Sequence, residues 1–298
     1  MIKNTTAVNG DQRPALPTDN RTYKLSSITF FILTFFSFYY VLRDLAYSII
    51  GNELAQHAPL VFGIVLFLLY RDRKALRQLF REKSDNGSVF LFLTGLSMNV
   101  SGQILGIMYL SQLSFPLTIY GMILYLHGPL AARRLIFPLF FMLFAFPIPG
   151  KIYFEVVFPL KLFVTKAATI ILAAVGQDVK SEGNIIKISS TVIGVSDACS
   201  GLNSLMAMLT LSIFYTKMTL RRTIHKSVVI LLMFPTVMAV NVVRVVATCL
   251  IAVTWGDELA SGKLHTFWGI FVFTASVLGM LALTNILIRR ENREAENG

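Results

Sequence analysis

LVFGIVLFLLYRDRKALRQLFREK, Leu60 to Lys83, runs without a break from apolar residues into a segment dense in cations. Hydrocarbon accepts the first part, and short Lys/Arg-rich loops stay on the cytoplasmic side during insertion. The junction predicts a membrane-spanning helix followed by a cytoplasmic loop, Arg71 to Lys83. Counting its own apolar part, nine apolar segments fall at about 25–42, 54–70, 88–110, 113–131, 134–149, 152–175, 199–216, 227–253 and 265–288. Three more cation groups punctuate them: Arg133 with Arg134, Lys217 to Lys226, and Arg289 with Arg290.

Composition agrees. Of 298 residues, 55% are hydrophobic and 14% charged, and the mean hydropathy is +0.65, which excludes an ordinary soluble domain. The strict alternation of a membrane β-barrel is absent. A net charge of +11 does not point to nucleic acid, because the cations sit in clusters between apolar runs and act as topology signals. The two cysteines, Cys199 and Cys249, fall in different predicted spans and read as free thiols.

Parity refines the map. Between Arg134 and Lys217 the chain must leave the cytoplasm and return, an even number of crossings, yet three apolar segments lie between. The segment 152–175 carries Glu155, Lys161 and Lys166, and a charge near mid-bilayer costs ~2.5 kcal/mol or more. It is therefore read as an interfacial or re-entrant helix on the outer side. The expected fold is an all-α polytopic membrane protein of about eight transmembrane helices, both termini cytoplasmic. Residues 177–198, with a Gly183-Asn184 turn and β-branched residues after it, predict a small extracytoplasmic β-hairpin cap of one or two strands. Residues 1–24 are polar and aperiodic and read as a disordered cytoplasmic tail; 25–290 form one helical domain, and 291–298 a short cytoplasmic tail. The first apolar run lacks a small-x-small cleavage site and reads as a retained helix.

On this map several polar side chains meet at the outer face. Cys199, in DACSGLNSL (Asp197 to Leu205), opens a span running inward to Lys217. A thiol at a helix N-terminus feels the positive end of the dipole and unpaired N–H groups, both favouring thiolate. Arg244, in AVNVVRVVATC, lies some 18 residues past Lys226, about 27 Å along a helix. An arginine inside an apolar helix must face protein or water, and Asn241, three residues earlier, shares its face and can orient it. His265 opens the last span and supplies a base of the type that activates a cysteine. His57 is a reserve base on the same side; Ser200 and Asn203 flank the thiol as supporting or substrate-binding candidates. Cys249 reads as a small apolar core residue. His127 and His225 fall near cytoplasmic ends. No metal-binding or cofactor motif is present, and none is expected.

DACSGLNSL, then NVVRV (Asn241 to Val245), then H-x-x-x-G (His265 to Gly269), in that order along the last three spans, resembles the exosortase/archaeosortase family of membrane cysteine transpeptidases. RRLIFPLFFMLFAFPIPGKI (Arg133 to Ile152) and VKSEGNIIKI (Val179 to Ile188) are similar to the family pattern as well, and the likeness covers roughly 55–288. The chain departs from many bacterial members at Asn203, where they carry Arg, and at His57-Ala58, where they carry His-Gly. The resemblance implies Cys199 as nucleophile, Arg244 as holder of the oxyanion and His265 as general acid/base. It also implies exported protein substrates with a C-terminal motif (PEP-CTERM-like), a transmembrane helix and a basic tail, cut on the extracytoplasmic face of a prokaryotic inner membrane. The acyl group would pass to a lipid, a glycan or another acceptor, or to water. The rival expectation is a transporter or lipid flippase with Arg244 as an anion-binding group, although no inverted repeat supports it.

Overall fold

Gly128 is where the longest helical stretch reverses. The computed structural model describes residues 20–51, 55, 57–79, 87–148, 150–189, 191–195, 200–256 and 263–296; Cys199 lies outside them. The helices are α1 (Asn20–Ser37), α2 (Tyr39–Gly51), α3 (Ala58–Leu79), α4 (Gly87–Ile104), α5 (Met108–Met142, continued by a 3-10 turn, Leu143–Ala145), α6 (Gly150–Ala174), α7 (Leu202–Thr219), α8 (Thr223–Trp255) and α9 (Lys263–Glu296). Within α5, Gly128 has φ 81° and ψ 174°, a conformation open to glycine, and Pro129 restarts the helix at a position proline favours. Leu113, Pro116, Leu117 and Tyr120 line one apolar cavity together with Ile136, Leu139, Phe140 and Leu143. The Phe115 and Phe146 rings lie 6.2 Å apart. The two arms of α5 are thus an antiparallel hairpin. The break was expected near Arg133; the Gly-Pro pair sets it earlier.

α4 and the first arm of α5 form a second antiparallel pair, closed by small residues. A β-carbon on Gly95 would stand 2.4 Å from Thr118 Oγ1, one on Gly102 2.3 Å from Ser111 Oγ, and one on Gly121 2.5 Å from the Phe92 nitrogen. Close backbone approach of this kind drives helix association where no hydrophobic force between helices exists. Ser111 Oγ donates to the Asn99 carbonyl across the seam (3.0 Å).

Residues 1–40 and 41–298 are separate compact units, so α1 is described by itself. It begins at Asn20, ahead of the expected start, because its polar first turn joins the apolar run as helix. α9 likewise continues to Glu296, so most of the expected C-terminal tail is helical; Arg290 pairs with Glu294 one turn on (3.1 Å).

Among the described residues four helices are long and apolar enough to cross a membrane: Met108–Ala145, Gly150–Ala174, Thr223–Trp255 and Phe267–Glu296. The first of these is the folded hairpin. α6 meets the length and hydropathy requirement despite Glu155, Lys161 and Lys166, since its apolar residues outweigh them. Large apolar side chains such as Phe90, Ile104, Ile170, Leu231 and Leu278 are exposed, as lipid-facing surfaces are. The chain is an integral membrane protein.

Between α6 and α7 lies a three-stranded antiparallel sheet, β1 (Val179–Glu182), β2 (Ile185–Ile188) and β3 (Thr191–Gly194), in the order β1-β2-β3. One strand more is present than expected, because the β-branched run after Ser189, the only non-glycine residue of positive φ (51°) among those described, turns back as β3. Ile186 and Ile188 point into a core with Val164, Ala168 and Leu172 of α6 and Val242, Val245 and Cys249 of α8. Tyr153 and Val157, at the start of α6, pack against Leu202 at the start of α7.

α7, α8 and α9 form the main bundle around Met208, Met233, Val237, Met238 and Met280. At one end Glu291 of α9 accepts the backbone N–H of Arg221 and Arg222, both at 2.9 Å, and lies 2.8 Å from His225 Nδ1. The other end holds Ser200, Gly201, Asn241 and Arg244.

Candidate functional site

α7 starts from a tight turn. Ser200 is fully buried, and its Oγ accepts the Leu202 N–H (3.2 Å), satisfying one of the donors a helix start leaves open. Gly201, the N-cap, has φ 84°. A β-carbon there would stand 3.0 Å from Asn241 Nδ2 and 2.9 Å from Met238 Cε. Glycine is required twice over, by the backbone angle and by the approach of α8. The sequence expectation placed Cys199 at the first residue of the helix; the helix begins at Leu202, and Cys199 lies outside the described residues.

Asn241 and Arg244 are 2% and 8% exposed. They lie one helical turn apart on α8 and face two neighbours. Asn241 meets Gly201, while the Arg244 guanidinium meets α9: its Cζ and Nη2 are both 3.6 Å from where a β-carbon on Gly269 would stand. Gly269 follows His265 by one turn of α9, so the glycine of the H-x-x-x-G motif is the floor on which the guanidinium rests. The side chain of His265 lies outside the described set.

The structure therefore brings Ser200, Gly201, Asn241, Arg244 and Gly269 into one group at the α7 N-terminus. Asn203 is half-buried in the first turn of α7. His57 is elsewhere engaged: its Nε2 lies 2.7 Å from the Phe144 carbonyl, so the ring carries its hydrogen on Nε2 and holds the end of the α5 hairpin. Nothing among the described residues links it to Arg244. Gly201 and Gly269 are the members that reading for reactive groups missed; each stands inside a quoted motif, but its role depends on a partner in another helix. Among the described residues no group of three His, Cys, Asp or Glu could hold a metal ion.

A buried guanidinium beside an amide and a helix start has the chemistry to hold negative charge, here within a helical membrane protein. Residues 49–282 match the transmembrane exosortase family model; the chain belongs to that family. No curated protein and no solved structure matches it. Membership makes it a membrane protein of peptidase or transpeptidase type.

Proposed function

We propose that the chain cleaves C-terminal sorting signals of exported proteins through a thioester on Cys199. The carrying observation is that Arg244, buried in an apolar helix and resting on Gly269 of the H-x-x-x-G motif, lies one turn from Asn241, which meets Gly201 two residues after the cysteine. A negative charge forming there meets a fork of donors already in place, and preorganised donors of this kind are worth about 3 kcal/mol each.

The Cys199 thiolate attacks the scissile carbonyl carbon, and the carbonyl oxygen takes the charge against Arg244. Collapse breaks the C–N bond, and His265 gives the departing amine its proton. An acceptor amine or water then attacks the thioester, His265 takes its proton, and the thiolate is released. Transfer and hydrolysis differ only in which nucleophile arrives. The substrate is read as an extended motif followed by a transmembrane helix and basic tail, so that the shared bilayer sets the depth of the scissile bond.

The topology proposed with it has about eight spans, cytoplasmic termini and the Cys199 end outside. Three features support it: the α5 hairpin supplies two crossings, the sheet and both halves of α6 pack at the Gly201 end, and the Arg221–Arg222 turn marks the opposite end. The test is intact-mass analysis of membranes after brief mixing with a signal-bearing substrate. A hydroxylamine-labile acyl adduct on Cys199, absent in Cys199→Ala, is expected. Normal processing by Cys199→Ala would remove the nucleophile from the scheme.

A further inference from the structure

A second polar site lies beside the first, in a cavity of about 500 Å³ lined by Ser48 of α2, the Gly106–Ile107 turn, the start of α5, and Pro147, Ile148, Gly150 and Lys151. Its walls are not simply a gap between helices. The first residues of both α5 (Met108) and α6 (Gly150) border it, and α5 has no side-chain cap at Ile107. Two helix N-termini thus present partial positive charge and unpaired N–H groups to one space.

The independent observation is Gln112. It is 3% exposed and borders the cavity, yet its amide has no hydrogen-bond partner among the described residues. The amide is not sealed inside the protein but opens on the cavity, so its polar atoms are available to a group bound there. Lys151 adds a full positive charge at the rim, and the Ser48 hydroxyl is also uncommitted. Among the described residues no carboxylate borders the space. Donors and positive charge therefore converge with no described carboxylate to oppose an anion, an environment suited to a phosphate.

The remaining walls say what carries that phosphate. Ile107, Met108, Pro147 and Ile148 are apolar, and the mouth adjoins Ile104, Leu105 and Tyr109, whose side chains are exposed. We propose that this cavity binds the phosphate headgroup of an anionic membrane lipid, whose acyl chains run along the exposed apolar surface of α4 and α5. Ile148 also packs against the Leu202 cluster, so the bound headgroup lies close to the α7 N-terminus. The proposal stands without the catalytic reading, because it concerns binding in the absence of substrate.

The test uses the full-length protein in dodecyl maltoside, titrated with dihexanoyl phosphatidylglycerol, with dihexanoylglycerol of the same chains, or with sodium phosphate, and read as melting temperature. The phosphatidylglycerol is expected to raise the melting temperature to saturation, the uncharged lipid to leave it unmoved, and inorganic phosphate to need at least about tenfold more. Gln112→Leu, which keeps the volume and removes the donor, should raise the half-saturating concentration about tenfold, and Lys151→Ala several-fold. Lys151 is exposed, so its variant decides the matter if Gln112→Leu melts early on its own. Unchanged titrations in both variants overturn the site. Inorganic phosphate acting at the same concentration as the lipid overturns the headgroup assignment and leaves a free-phosphate site.

Discussion

The Arg244 guanidinium packs on Gly269, with Cζ 3.6 Å from the position a β-carbon would take there. That spacing is ordinary van der Waals contact, so it separates two substitutions. Gly269→Ala should retain most activity. Gly269→Leu must push the guanidinium off α9 and should lower the processing rate at least tenfold, about 1.4 kcal/mol in the barrier. Rates on a signal-bearing reporter, with melting temperatures as a folding control, check it; equal rates for Leu and wild type would show that the guanidinium position does not matter.

Arg244→Lys tests the geometry of the donors rather than their charge. A guanidinium offers a rigid fork, an ammonium a single point. The variant should fold, since positive charge and most of the stem remain, but lose roughly 100-fold in rate, within the range for removing an oxyanion donor. Single-turnover acylation of Cys199 is the measurement, because it isolates the step in which the charge forms.

Gly201→Ala meets two obstacles. Its φ of 84° costs an alanine roughly 1 kcal/mol, and its β-carbon would stand 3.0 Å from Asn241 Nδ2. Destabilisation of about 2 kcal/mol is expected in all. The second part should be relieved by Asn241→Ala, so the two substitutions together should cost less than their sum. Strict additivity in melting experiments would mean that α7 and α8 do not press on each other here.

Much of this arrangement was legible in the order of residues. The cation groups between apolar runs mark the bundle as a membrane protein, and Arg244 stands out because burying a guanidinium in an apolar helix needs a reason. Asn241 was predicted to share its face; it meets Gly201 of α7 while Arg244 meets Gly269 of α9. Where the reading fell short, the cause is distance along the chain. The Gly201–Asn241 and Arg244–Gly269 contacts join helices whose register no local pattern encodes. The Gly128 reversal was local and readable, since glycine tolerates that conformation and Pro129 after it favours a helix start, but the cations at 133 and 134 drew the boundary toward themselves. β3 was undercounted because a four-residue strand in a polar cap leaves almost no periodic signal.

Glu291 was also invisible from sequence, falling in what read as a short tail. Its carboxylate accepts two backbone N–H groups at the start of α8 and meets His225 at 2.8 Å, doing for that helix what a capping side chain normally does from within it. Arg222 reinforces the same junction through Glu294 (2.6 Å). Glu291→Ala removes the acceptor of two part-buried N–H groups and should cost about 1 kcal/mol, seen as a lower melting temperature in detergent. His225→Ala in that background should add little, because its partner has already gone. Acylation of Cys199 in the protein that remains folded should proceed at the wild-type rate, since the cap lies at the opposite end of the bundle from Arg244. A loss of acylation rate with no change in melting would mean instead that this junction communicates with the site, and that α9 moves as a unit between its two ends.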